Sequence, residues 1–210
     1  MKILLIGDSI RKGYDEYIRM VFDGIAEVYY HDENSRFTTY IIRQLYEWKS
    51  LIGCGDDVDL VHWNAGLWDD LIVLDGKPLV PIEVYKENID RICKLIKILF
   101  PNAKMIFATS TPCIEEMFKV YKRYNKVTEL YNAAAIEIVK KNGGEINDLY
   151  STMRNAPQEY HSDSTHYYTK EGTKIITEQV RKSIEAVLNI KGQDIDYDAL
   201  FGTQGSVVGE

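Results

Sequence analysis

The chain has 210 residues, of which 45% are hydrophobic and 27% charged. This length and composition fit one full-sized domain with its own core and argue against a disordered or fibrous protein. The formal net charge is −7 and no dense lysine and arginine cluster is present, so nucleic acid is not expected as a partner.

The cysteines and the apolar runs bear on the cellular compartment of the protein. Cys54, Cys93 and Cys113 form no CxxC pair, which argues against a zinc knuckle or a dithiol redox site and fits a reducing compartment. No run of about 18 apolar residues is present, so neither a transmembrane helix nor a membrane partner is expected. The apolar stretch near Met1 spans four residues, too short for a secretory signal. We therefore expect a cytoplasmic protein.

Short apolar runs alternate along the chain with longer segments of helical period. The predicted strands are Lys2–Ile6, Glu27–His31, Val58–Trp63, Lys104–Ala108 and Glu145–Leu149. The predicted helices cover residues 14–23, 37–52, Pro81 to Pro101, 118–141 and Thr169 to about Leu188, with Thr169 as an N-cap. This alternation predicts an α/β fold whose five-stranded parallel sheet carries helices on both faces.

We assign residues 1–190 to one domain and residues 191–210 to a C-terminal tail. The tail has four glycines and little pattern. It is interpreted either as loose or as an arm on a partner subunit, and a homo-oligomer is left open.

Polar residues follow the predicted strands at the edge where parallel α/β sheets keep their chemistry. Ser9 follows the first strand, Asn64 follows the third, and Asp163 and His166 lie in the loop before the last helix. A serine hydroxyl needs a nearby base, and that base needs an orienting carboxylate. His166 and Asp163 can fill both roles from one loop, while the Ser9 N–H and the Asn64 amide are candidates to stabilise an oxyanion.

These blocks resemble those of the SGNH (GDSL-type) hydrolases over residues 2–188. Gly7-Asp8-Ser9 matches the first block, Asn64 the third, and Asp163-x-x-His166 the fifth. The resemblance implies a flavodoxin-like three-layer α/β/α sandwich without a metal or other cofactor. It also implies cleavage of esters or thioesters through an acyl-enzyme, with a triad of Ser9, His166 and Asp163.

Two blocks depart from the family pattern. The third usually reads Gly-x-Asn-Asp, whereas here His62 takes the glycine position and Ala65 follows Asn64. The best match to the second block places Arg36 at the family's oxyanion-hole glycine. We expect the Arg36 N–H to join Ser9 and Asn64 in that hole. The alternatives are a side chain that lines the pocket and a solvated residue at a helix start.

Further residues near the strand ends are assigned by position. Asp8, Trp68 and His161 are expected to contact substrate, whereas a structural role is expected for His31 and His62. Core packing is the favoured role of Trp63. A metal site within residues 161–166 is the alternative for the histidine loop.

The predicted function is a serine esterase that acts on small-molecule esters with short acyl groups, with carbohydrate O-acetyl esters as the favoured subclass. Thioesterase and lysophospholipase activities stay open. The alternative from another class is a non-catalytic flavodoxin-like module that binds phosphate or another small molecule at the Gly7-Asp8-Ser9 turn. A phosphatase that uses Asp8 would need a second aspartate two residues later, where Ile10 stands.

Overall fold

The sheet has five parallel strands in the order β2-β1-β3-β4-β5 in the computed structural model, which describes residues 1–202. This order and the flanking helices confirm the flavodoxin-like three-layer α/β/α sandwich. The final eight residues of the predicted tail lie outside the described residues. The strands are β1 (Lys2–Ile6), β2 (Glu27–Tyr30), β3 (Leu60–Asn64), β4 (Lys104–Ala108) and β5 (Glu145–Asn147).

Eight helices connect and cover the strands within residues 1–202, together with short 3-10 turns at Glu115–Met117 and Gln158–Tyr160. Within that part of the chain, no helix is long and apolar enough to cross a bilayer. The helices are α1 (Ser9–Lys12), α2 (Asp15–Val21), α3 (Thr38–Ile52), α4 (Ile82–Leu99), α5 (Asn125–Lys141), α6 (Leu149–Met153), α7 (Lys170–Leu188) and α8 (Tyr197–Leu200).

Two apolar cores lie on opposite faces of the sheet because alternate side chains of a strand point to opposite faces. Leu4 and Ile6 of β1 face the core under α3, α4 and α5. Ile3 and Leu5 face the core under α1, α2, α6 and α7. The part of β1 from Ile3 to Ile6 is therefore a continuous apolar run, as expected of a strand covered on both sides.

The strand register brings the polar ends of the strands to one edge. Ile6, the last residue of β1, pairs with Trp63, and Asn64 at the end of β3 pairs with Ala108. Ala108 in turn pairs with Asn147 at the end of β5. The turn that carries Ser9 therefore starts beside Asn64, in line with the rule that such sheets carry their chemistry at this edge.

The prediction of a helix over residues 118–141 was wrong at its start, since α5 begins at Asn125. The backbone of Lys122 instead bonds to Ile72 in both directions, at 3.0 and 2.8 Å. Glu115 then accepts the Asn125 N–H at 2.8 Å, which satisfies a free donor of the new helix. The backbone of Lys122 is thus paired with the neighbouring loop and not with a helix.

Strand β5 is shorter than predicted because Asp148 starts a helix. Its side chain accepts the Ser151 N–H at 3.0 Å, which caps α6. Thr169 caps α7 as expected, since its side chain accepts the Gly172 N–H.

The described part of the predicted tail, residues 191–202, packs on its own domain. Gln193 donates its N–H to the Val21 carbonyl at 2.8 Å. The Tyr197 ring stacks on Tyr17, with ring centroids 5.8 Å apart. These contacts attach the segment to α2.

Candidate active site

Ser9 is held in a tight turn that converts β1 into α1. Asp8 is the N-cap of this one-turn helix, and its Oδ1 accepts the Ile10 N–H at 2.9 Å. Ser9 is therefore the first helical residue, at the carboxyl edge of the sheet.

The loop before α7 brings a histidine to this serine. Asp163 Oδ1 accepts the N–H groups of Thr165 and His166 at 2.7 and 2.8 Å, which folds the loop into a compact turn. Asp163 Oδ2 then lies 2.7 Å from His166 Nδ1, and His166 Nε2 lies 2.7 Å from Ser9 Oγ. The three residues predicted as a triad thus form a continuous hydrogen-bonded chain.

Asp163 is stabilised as an anion. Burial acts to raise its pKa, but the two backbone N–H groups and His166 outweigh this and hold the pKa of Asp163 below its ordinary value. An ionised carboxylate fixes the orientation of the imidazole and favours its protonated form.

Asn64 lies beside the serine turn and is almost fully buried, at 3% exposure. Its Nδ2 donates to Asp8 Oδ1 at 2.8 Å. An amide nitrogen carries two N–H groups, so the contact with Asp8 leaves one for another acceptor. A Cβ on Gly7 would lie 1.9 Å from Asn64 Oδ1, which explains why glycine opens the Gly7-Asp8-Ser9 turn.

Arg36 adopts a glycine-like backbone. Its φ of 51° lies in the left-handed region that favours glycine, consistent with the alignment to the family's second block. However, its N–H donates to Asn34 Oδ1 at 2.8 Å, so the expected oxyanion donor already has a partner. The exposed guanidinium lies over the Tyr40 ring, 5.3 Å from its centroid.

The structure corrects the role predicted for Asp8. This side chain is fully buried and serves Ile10 and Asn64, so it positions the turn and has no surface for a substrate. Trp68 is partly exposed on the segment that follows β3. His161 is half-buried, with its ring 3.9 Å from that of Tyr167.

The residues expected to be structural are buried. His31 stacks on Trp48 with ring centroids 4.1 Å apart. His62 lies wholly inside β3. Trp63 packs edge-to-face against Phe107 in the core, as expected.

Sequence reasoning missed Arg123, which joins two loops at this edge. It is 6% exposed. Its guanidinium donates to Asp70 Oδ1 at 3.2 Å, to the Leu67 carbonyl, and to Thr165 Oγ1 at 3.0 Å. The segment after β3 is thereby tied to the histidine loop. Arg123 lies in the segment that was predicted as a helix, and no sequence pattern distinguishes it from a surface arginine.

Metal ligation is not supported for the histidine loop. Both ring nitrogens of His166 already face Ser9 and Asp163. Within residues 1–202, no group of three or more His, Cys, Asp and Glu side chains could hold a metal ion.

The amino-acid sequence is similar to that of a curated plant protein, although no family model matches the chain. The chain is 26% identical to a GDSL esterase/lipase of Arabidopsis thaliana over 221 residues, which covers 94% of this chain and 90% of that protein.

Solved structures share the fold. A lipase/acylhydrolase from Enterococcus faecalis superposes with a TM-score of 0.71 at 18% identity, covering 92% of this chain and 99% of that one. Axe2, an acetylxylan esterase from Geobacillus stearothermophilus, superposes with a TM-score of 0.64 at 15% identity, covering 87% and 93%. The sequence match along nearly the whole chain, together with the sheet order, supports the assignment of the chain to the SGNH (GDSL-type) hydrolases.

Proposed function

We propose that the protein is a serine esterase that hydrolyses short-chain esters through an acyl-enzyme, with Ser9, His166 and Asp163 as its triad. One observation carries the proposal: His166 lies 2.7 Å from Ser9 Oγ through one ring nitrogen and 2.7 Å from Asp163 through the other. A nucleophile, a base and an orienting anion in direct contact are what acyl transfer to serine needs.

Acylation begins when Ser9 Oγ attacks the ester carbonyl and passes its proton to His166 Nε2. Asp163 stabilises the imidazolium that forms. The imidazolium then protonates the leaving alcohol, and the acyl group stays on Ser9. In the second half, His166 takes a proton from water as the water oxygen attacks the acyl carbon. The bond to Ser9 then breaks as His166 returns the proton to Ser9 Oγ, which releases the acid and restores the enzyme.

The negative charge on the carbonyl oxygen needs donors that are already in place. We assign this role to the Ser9 N–H, to the second N–H of the Asn64 amide, and to the Arg36 N–H. Arg36 would share its N–H between the substrate and the Asn34 side chain, so it is the weakest of the three donors.

We propose carbohydrate O-acetyl esters as the substrate class. The fold is shared with an acetylxylan esterase. Trp68 is partly exposed on the segment that follows β3, and its aromatic face can pack against a sugar ring. We include half-buried His161 as a second contact for the substrate.

The phosphate-binding alternative is disfavoured by Asp8. Its carboxylate occupies the N-terminus of α1 and accepts the Ile10 N–H that a phosphate would need. An anion placed there would also be repelled by this carboxylate.

The test is covalent labelling of the intact protein with a fluorophosphonate probe, followed by mass mapping of the adduct. We expect a single adduct on Ser9 and none in Ser9→Ala. Hydrolysis of p-nitrophenyl acetate should fall roughly 10³-fold or more in Ser9→Ala, and acetate release from an acetylated xylo-oligosaccharide should be lost with it. The esterase proposal fails if Ser9→Ala turns over ester like the wild type. Wild-type cleavage of p-nitrophenyl acetate without acetate release from the oligosaccharide would overturn only the substrate class.

A further inference from the structure

Tyr168 contacts both reacting members of the proposed triad. Its ring stacks on the His166 imidazole, with centroids 4.7 Å apart and planes inclined by 17°. Its hydroxyl donates to the Ser9 carbonyl at 2.5 Å. One side chain thus joins the loop that carries the base to the turn that carries the nucleophile.

The Ser9 carbonyl is a specific target for this hydroxyl. Helix α1 is a single turn, and the N–H of its C-cap, Gly13, bonds to the carbonyls of Ile10 and Arg11 rather than to that of Ser9. Tyr168 supplies a donor that the short helix does not. Burial raises the pKa of Tyr168, so the phenol keeps its proton and remains a donor.

Gly13 provides the space for the Tyr168 ring. Its φ of −74° is open to any residue, so the glycine is not needed for backbone conformation. A Cβ at this position would lie 2.7 Å from Tyr168 Cε1, too close without a shift of the ring. The absence of a side chain at Gly13 therefore lets the ring lie against the His166 imidazole.

The stacked ring also affects charge. The face of a tyrosine ring is electron-rich and attracts a cation placed over it. His166 becomes a cation when it takes the Ser9 proton. The other charged groups around this pair are Asp163 in the same loop, and Asp8 and Arg11 on the β1–α1 side. These groups stay in place when Tyr168 is replaced, so a substitution isolates the contribution of the ring.

We infer that Tyr168 is a positioning residue for the proposed hydrolysis: its ring orients the His166 imidazole and stabilises its cation, and its hydroxyl fixes the Ser9 backbone. The inference rests on the proposed function, because it assigns His166 the role of base. The effect of the ring on His166 and the effect of the hydroxyl on Ser9 can be measured separately with two substitutions.

The experiment measures kcat and kcat/KM for p-nitrophenyl acetate between pH 5 and 9. In Tyr168→Leu we expect kcat to fall about 10-fold or more, and the acid limb of kcat/KM to move to lower pH by about 0.3–1 unit, because the cation loses its aromatic face. In Tyr168→Phe the acid limb should stay in place and kcat should fall only a few-fold. Tyr46→Leu, which replaces an exposed tyrosine on α3, is the matched control and should resemble the wild type.

Gly13→Ala provides an independent variant should Tyr168→Leu not fold. It leaves Tyr168 in the chain but pushes its ring off the imidazole, so the acid limb should move in the same direction. An acid limb that coincides with the wild type in the folded ring variant overturns the inference. An unshifted acid limb overturns only the role of Tyr168 if Ser9 is labelled by the fluorophosphonate probe and Ser9→Ala is inactive in the same series. If wild-type Ser9 is not labelled, both the role of Tyr168 and the proposed function are overturned.

Discussion

Two histidines near the carboxyl edge of the sheet meet opposite surroundings. His166 lies in a loop, its side chain 16% exposed, between a carboxylate and a serine hydroxyl. His62 lies in the middle of β3 with no exposed surface. Its Nδ1 is 3.5 Å from the Tyr14 hydroxyl, and its Nε2 is 3.1 Å from the Asn147 amide.

The partners decide what each imidazole can do. Burial lowers the pKa of His62 to about 3, and its hydrogen-bond partners are neutral, so this ring remains uncharged. His166 instead faces an anion that would stabilise its protonated form. His62 also stands where the family's third block has glycine. The added ring is hydrogen-bonded to Asn147, whose Oδ1 in turn accepts from the half-buried Gln179 at 3.0 Å.

The largest effect should come from exchanging the reacting imidazole. His166→Gln should lower kcat for p-nitrophenyl acetate by roughly 10⁴-fold or more, because serine loses its base while the fold is kept. Steady-state kinetics and circular dichroism measure the two quantities. A variant with near wild-type kcat would mean that His166, like His62, takes no part in the reaction.

The carboxylate that distinguishes the two sites should matter next. Asp163→Asn keeps the size of the side chain but removes the anion, and an asparagine can hold the imidazole in the wrong tautomer. We expect kcat to fall by about 10³-fold with little change in KM. An equal loss from Asp194→Asn, an exposed carboxylate outside the site, would show that the effect is general electrostatics.

Replacing Asn64 tests whether its side-chain amide stabilises an oxyanion at the carboxyl edge of the sheet. Asn64→Ala should reduce kcat by about 10²–10³-fold, because the donor acts on charge that develops only in the transition state. Gly7→Ala should produce part of this loss, since its Cβ would displace the Asn64 side chain. Unchanged kcat together with a lower Tm in both variants would make Asn64 a structural partner of Asp8.

Much of the fold could be predicted from the sequence because its signals were local, and the grouping of Ser9 with His166 and Asp163 followed from the rule that parallel sheets bring their strand ends to one edge. Apolar runs revealed the strands, and Asp163 and His166 lie three residues apart in one loop. The start of α5 and the role of Arg123 did not follow, because both depend on contacts with the distant residues Ile72 and Asp70. Asp8 was misassigned since a sequence places a residue at a strand end without revealing whether its side chain points to solvent or into a cap.

Replacing His62 tests the other side of the comparison between the two histidines: it should change the stability of the protein and leave the rate of hydrolysis nearly unchanged. His62→Gln should leave kcat within a few-fold of the wild type, because the ring does not touch Ser9 or His166. It should lower the unfolding free energy at pH 7 by about 1–3 kcal/mol, since the Asn147 amide loses a well-placed buried partner. Urea unfolding measures this change. A large loss of kcat with unchanged stability would assign His62 to catalysis.

The smallest expected effect is the pH dependence of that stability difference. The pKa of folded His62 is lowered to about 3, against roughly 6.5 in an unfolded chain. Between these values the unfolded state binds a proton that the folded state does not. The contribution of His62 to stability is therefore complete above about pH 7 and falls as pH decreases, by up to about 1.4 kcal/mol per pH unit.

The gap in unfolding free energy between the wild type and His62→Gln should narrow by about 1–2 kcal/mol from pH 7 to pH 5. Other buried groups with shifted pKa values, such as His31 and Asp69, occur in both proteins and cancel in the difference. A gap that stays constant over this range would mean that His62 can take up a proton in the folded protein, which would remove the contrast with His166.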